Sequence, residues 1–451
     1  MEHTNNIEYP QTNRVGFHYF DDTLHFGESD AQCWLPVIKK LNVNWLVLQS
    51  SIFRAIPESF IQVFRSEGIN LIADFNLRAG DPFSWSDIEP LINAYGKWGI
   101  KYVLLNKQPN IKESWTPDGW ADPQIVSKYS QQFLEFAQIS LENGIRPIYS
   151  PLFPGGKYLD LAFVEDSVNW LIDHANLSVI NNLTFSAYAW DHGHALDWGI
   201  GGRAAQPKNN FFQVSKNQQS QKGFRTYEWY SEIIETKFSK KMPFILFQIG
   251  FPGLSDQFSI HHDFADINKL MAVHKLLNRE NVYDPEEPQK ILNHIPEYVI
   301  SGNFFILSSN IQQHVPYQWF SNNSEALPPA QAFFIRNTSS DNSSVENNLS
   351  EKSFDEKEKL FEFNRYILIS ETLQPQTDNL IEALQPYIVE HKPVIGYSVA
   401  DAARSAVILI IGSHDENMDS HINHLRLNGS LVKHIHPDEI STMKNEKNYD
   451  D

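Results

Sequence analysis

A single cysteine, Cys33, stands in a chain of 451 residues. One thiol excludes an internal disulfide and any zinc site built on several cysteines, and it fits a reducing compartment. Basic residues are scarce too: 36 Lys and Arg face 55 Asp and Glu, for a formal charge of −19. Such a chain lacks the Lys/Arg stripes that nucleic-acid phosphates or an anionic membrane require, so neither is expected as a partner. No apolar run approaches the roughly 20 residues of a membrane helix, and no transmembrane segment is expected. The amino-terminal "MEHTNNIEYPQTN" has neither the basic start nor the apolar block of a secretory signal, so the expected location is cytoplasmic.

What the chain does contain is apolar and aromatic residues, at 41% and 13%, enough for a large core and more than one domain. Strand-length apolar runs recur at 14–20, 43–51, 69–77, 100–110, 145–153, 183–190, 243–251 and 303–310. Helical patterns such as "AQCWLPVIKKL", "DIEPLINAYGKWG" and "SKYSQQFLEFAQISLENG" separate them, several closing on Gly before the next strand. Continuously apolar strands belong to a parallel sheet covered on both faces, and eight βα units predict a (β/α)8 TIM barrel rather than an open doubly wound sheet. The expected boundaries are 1–335 for the barrel, 336–360 for a flexible Ser/Asn/acidic linker, 361–440 for a small α/β domain and 441–451 for a disordered tail. The N-x-S/T triplets at Asn337, Asn342 and Asn348 arise by chance in such a linker. "IIGS" in the small domain carries one glycine rather than a dinucleotide fingerprint, so no cofactor is expected there or elsewhere.

Active sites of such barrels lie at the carboxyl ends of the strands. The expected tips carry His18, Asp21 and Asp22, then Gln49, then Asp74, Asn76 and Arg78, then Asn106, Lys107, Gln108 and Asn110. Tyr149 follows on the fifth strand, Tyr188, Trp190, Asp191 and His192 on the sixth, Gln248 on the seventh and Ser308 to Gln312 after the eighth. "NKQPN" at the fourth tip resembles the "NEPN" of the clan of retaining glycoside hydrolases built on (β/α)8 barrels, and "FQIGFPG" at the seventh resembles their "TEFGFP"-type nucleophile strand. The resemblance places the acid/base at Gln108 and the nucleophile at Gln248, with Tyr188 as the strand-six aromatic and Trp319 as a sugar-platform tryptophan. Both positions hold amides where the family has glutamates. A retaining glycosidase needs two carboxyl groups. An amide hydrogen-bonds a sugar but neither donates a proton near neutral pH nor attacks as a carboxylate. The stretch "VILIIGS…INHLRLNGSLVKHI" resembles the repeat of bacterial cell-wall-binding modules; separately, the small domain is the candidate surface for a protein partner.

The resulting expectation is a glycosidase-like barrel that binds an oligo- or polysaccharide without standard retaining hydrolysis. His18, Asn106, Gln108, Tyr188, Asp191 and Gln248 would hydrogen-bond the sugar, with Trp190 and Trp319 as stacking platforms. Among the other tryptophans, Trp85, Trp115, Trp120 and Trp198 follow strands, whereas Trp34, Trp45, Trp98, Trp170 and Trp229 read as core. Two alternatives stay open: an active carbohydrate hydrolase using displaced carboxylates, Asp74 and Asp191, or a non-catalytic interaction scaffold in which the glutamines merely line a polar mouth. Asp74 also reads as a structural partner of Arg78 or of a strand-end amide. "DHGH" (191–194) falls short of a metal-ligand set, "HHD" (261–263) more so, and no metal is expected.

Overall fold

A computed structural model describes residues 13–206, 219–251, 267–340, 363–370, 373, 376–412, 421–422, 425 and 430–436. The chain divides into two compact units, Met1–Glu346 and Asn347–Asp451.

In the first unit the strands are β1 (Val15–His18), β2 (Trp45–Gln49), β3 (Asn70–Arg78), β4 (Tyr102–Lys107), β5 (Arg146–Ile148), β6 (Phe185–Tyr188), β7 (Phe244–Ile249) and β8 (Val299–Phe304). The helices are α1 (Glu28–Lys40), α2 (Glu58–Ser66), α3 (Trp85–Trp98), α4 (Pro117–Trp120), α5 (Ile125–Glu142), α6 (Asp160–His174), α7 (Leu177–Asn182), α8 (Thr226–Phe238), α9 (Ile267–Leu277) and α10 (Pro328–Ser340). The eight described strands are parallel, in the order β5-β4-β3-β2-β1-β8-β7-β6. A bridge between Ile148 and Thr184 joins the outer strands, with Tyr149 N–H donating to the Thr184 carbonyl at 2.8 Å. The first unit is therefore the expected (β/α)8 barrel.

Alternation along the strands shows how both faces are buried. On β2, Leu46 and Leu48 join the layer between sheet and helices, whereas Trp45 and Val47 join a second cluster inside the barrel. That interior holds Ile72, Leu104, Ile148, Tyr188, Trp190, Ile245, Phe247 and Ile300 as well. Gly16 is what admits Trp45: a Cβ there would lie 2.7 Å from the Trp45 Cβ and 2.1 Å from Asn303 Oδ1. Helix stops follow the sequence reading, with Gly99 in the left-handed region after α3 (φ 87°).

Some boundaries differ from expectation. β8 spans Val299–Phe304 and so begins before the run 303–310: Gly302 is a packing residue inside the strand and not a strand break, since a Cβ there would meet Leu277 at 2.7 Å. Helix α10 runs to Ser340, into the stretch read as linker. Among the described residues no helix is long and apolar enough to cross a membrane.

The second unit contains β9 (Phe363–Ile369), α11 (Thr377–Ala383), α12 (Gln385–His391), β10 (Val394–Gly396), α13 (Val399–Ala402), β11 (Ser405–Ile411) and β12 (Leu431–Ile435). Its described strands are all parallel, ordered β10-β9-β11-β12. Ile367, Leu409 and Ile411 pack with Leu380, Leu384 and Tyr387 on one face, and Leu368, Ile408 and Ile410 pack with Ala402 and Leu425 on the other. This is a small α/β unit with its own core. The tail 441–451 lies outside the described residues.

Candidate functional site

The carboxyl ends of the strands carry polar residues where the barrel interior stops being apolar. On β2 the inward series Trp45, Val47 continues to Gln49, which pairs in register with Asp74 of β3. By the same parity Gln248 on β7 would face the helices, since Ile245 and Phe247 point inward. It does not. The β7–β8 register advances three residues on β7, from Leu246 to Ile249, for two on β8, from Gly302 to Phe304. The extra residue is a bulge, and Gln248 takes a left-handed backbone, φ 55°. The bulge re-aims its side chain so that Gln248 Oε1 accepts from the Trp190 Nε1–H at 3.0 Å.

Gln108, directly after β4, has the same left-handed backbone, φ 48°, and so does Asn76, φ 53°, in a bulge of β3. Each costs a non-glycine residue on the order of 1 kcal/mol, held only because the surrounding structure over-determines it. Gln108 N–H donates to the Pro151 carbonyl at 3.0 Å, and its side chain lies near the Tyr188 hydroxyl, whose pKa it lowers against the larger upward push of burial. Tyr188 and Trp190 stack on each other, centroids 4.5 Å apart and 17° between planes. A chain of contacts thus runs from Gln248 through Trp190 to Tyr188, with Gln108 beside Tyr188.

Around this chain lie three titratable groups. His18 Nε2 accepts the Gln248 backbone N–H at 3.2 Å, which leaves its proton on Nδ1. Burial, then His314, pull His18 down to about 3 against the opposing Asp21, so it is neutral. Asp74 accepts from the Asn76 N–H at 2.8 Å. Burial outweighs the charge of Lys107 and pushes its carboxyl up to about 6. Burial would raise Asp21 too, but hydrogen bonds from His314 and Ser309 outweigh it and hold Asp21 below the usual range. His314 was not legible in the sequence, because it follows β8 and meets Asp21, 293 residues earlier, only where β8 closes against β1.

Several expected site residues are placed differently. Trp319 is 1% exposed and packs edge-on against Phe17 (4.8 Å) and near Phe333, in the layer outside the sheet; it is no sugar platform. Trp190 is also 1% exposed, closed in by Tyr188, Phe153 and Phe251, and offers a sugar no open face. Asn106 is likewise buried, its amide 3.5 Å from the Arg78 carbonyl. Asp191 is taken up by Lys269 Nζ (3.3 Å), which also holds Glu286 at 2.8 Å, and by the Gly193 N–H. Arg78 pairs with Asp81 at 2.7 Å, not with Asp74. His194 stacks on Trp198 at 4.0 Å, and burial, then Lys222, lower His192 to about 4. "HHD" at 261–263 lies outside the described residues. Trp85 and Trp115 spend their indole N–H groups on Glu135 and on the Pro109 carbonyl, both at 2.7 Å, packing loops onto the barrel. His18, Gln49, Asp74, Lys107, Gln108 and Gln248 keep partial exposure and form the accessible floor.

No protein-family model matches the chain, and no curated protein matches its sequence. Solved structures with similar folds include a monomeric β-xylosidase from Caulobacter crescentus, at 11% identity and TM-score 0.42, covering 72% of this chain and 68% of that one. A GH128 subgroup II endo-β-1,3-glucanase from Sorangium cellulosum shares 11% identity at TM-score 0.40, over 71% of this chain and 97% of that one. A D-psicose 3-epimerase from Clostridium cellulolyticum, solved with D-tagatose, shares 11% identity at TM-score 0.37, over 72% and 98%.

Proposed function

We propose that the barrel mouth binds an oligo- or polysaccharide and does not cleave it by the two-carboxylate retaining route. The observation that carries this reading is the pair Gln108 and Gln248. Both are left-handed at strand ends and both are amides; Gln248 is hydrogen-bonded to the Tyr188–Trp190 stack, and Gln108 is held by its backbone bond to Pro151 beside Tyr188. Strained, over-determined backbone gathers at functional sites, and here it positions two groups that donate and accept hydrogen bonds but carry out no proton transfer or attack. The aromatic interior is filled, yet the polar floor above it is partly exposed, as a hydroxyl-rich ligand needs.

One observation favours a second reading, hydrolysis through Asp74. Its carboxyl is held near 6, close to a general acid's working range. Asp191 is engaged by Lys269 and supplies no second carboxylate of the same freedom. A glycan-array screen of the full chain, with reducing-end release assayed on every glycan retained, separates the readings. Retention without release supports the binding barrel. Release that disappears in Asp74→Asn supports the second reading, and silence across a broad array overturns both.

A further inference from the structure

The burial of Trp190 and Trp319 leaves the mouth without its expected stacking surface, but the rim has another. Phe53, in the loop after β2, is 90% exposed. Its neighbours are not loose: Ile52 and Ala55 pack against the core, and Ile56, 1% exposed, donates its N–H to the Tyr95 hydroxyl at 3.0 Å. Ser51 and Arg54 form an antiparallel bridge, and the Phe53 N–H donates to Ser51 Oγ at 3.1 Å. A structured turn therefore holds a large aromatic ring out in water. Leu24 (70% exposed) in the β1 loop and Ile311 (40%) and Val315 (43%) after β8 are exposed as well. Strands β2, β1 and β8 are consecutive in the barrel, so these residues share one arc of the carboxyl-end rim. Scattered exposed apolar residues need no explanation; a group on three adjacent loops beside a polar floor does.

We propose that Phe53 is a stacking platform for a further pyranose ring of a saccharide chain leaving the mouth, with Leu24, Ile311 and Val315 as its apolar rim. The proposal rests on the mouth being a saccharide site. Phe53 follows Gln49 by at most about 14 Å of extended chain, so a ligand a few sugar units long spans both. The CH faces of a pyranose match a flat aromatic ring, whereas the Gln108 and Gln248 amides match its hydroxyls. The formal charge of −19 speaks against an anionic membrane as the occupant.

The test is calorimetric titration of the full chain with cello-, laminari- and xylo-oligosaccharides of two and of six units. Phe53→Ala is expected to weaken six-unit binding about tenfold while leaving two-unit binding unchanged. Phe53→Trp is expected to keep it and to report stacking as a blue shift of its emission. Six-unit binding that is equal in wild type and Phe53→Ala overturns the platform and leaves the mouth reading standing. A change of oligomeric state in Phe53→Ala without a change in saccharide affinity overturns it in favour of a protein contact. Absence of any saccharide binding by the wild type removes the mouth reading and the platform together.

Discussion

At Gln248, a left-handed backbone and a hydrogen bond to a buried indole meet in one residue, and two substitutions separate them. Gln248→Gly and Gln248→Ala both leave the Trp190 N–H unpaired, a loss of about 1–3 kcal/mol. Alanine also pays for φ 55°, so the glycine variant is expected to be the more stable by about 1 kcal/mol in denaturant unfolding. Equal stabilities would refute the strained strand end. Asp74 gives a pH signature. Its carboxyl is raised from 3.8 to about 6 on folding, so its charged form disfavours the fold. The stability present below about pH 3.8 is lost as pH rises through about 6. Asp74→Asn removes that loss, and its stability relative to wild type is expected to grow between pH 4 and pH 7 by no more than about 3 kcal/mol. A difference that stays flat across that range would show the carboxyl to be solvated.

Elements are held together by two buried ionisable side chains outside the polar floor. Arg14, at the entry to β1, donates to the carbonyls of Leu276 and Leu277 at the end of α9 and of Ile295, Pro296 and Val299 leading into β8. It staples β1 to the last βα unit. Arg14→Met strands several buried carbonyls and is expected to cost about 3–5 kcal/mol, measured as a lower denaturant midpoint. Asp160, at the start of α6, accepts from the Tyr230 hydroxyl (2.7 Å), the Gln221 amide (3.0 Å) and the Gly155 N–H (2.9 Å). It ties the β5 loop to α8. Burial raises its pKa despite those bonds, so the fold disfavours the charged form relative to water. Asp160→Asn is therefore expected to cost less at pH 7 than Asp160→Ala, whose loss of all three bonds is on the order of 3 kcal/mol. Thermal unfolding of the two variants checks the order. Neither residue stood out in the sequence, because a lone Arg or Asp shows no sign of the distant carbonyls and hydroxyls it will meet.

On the scale of the whole molecule, the barrel and the small α/β unit each close a core of their own, so residues 1–346 expressed alone are expected to fold. Retained far-ultraviolet dichroism and one cooperative melt would bear this out; a molten, aggregating product would show that the units depend on each other. The sequence by itself determined the barrel, since eight apolar runs alternating with helical patterns leave few other ways to cover a parallel sheet on both faces. It also determined that amides stand at the tips of β4 and β7, because residue identity needs no coordinates. Tertiary structure alone decided where those amides point and which aromatics stay in water. Strand parity assigns Gln248 to the outer face, and a bulge defined by its register against β8 turns it inward. Trp190 and Trp319 look like platforms in the sequence, but they are covered by residues distant along the chain, Phe153 and Phe251 on Trp190 and Phe17 on Trp319. Phe53 looks ordinary and is left outside. Burial is set by neighbours that folding brings together, and no local pattern records them.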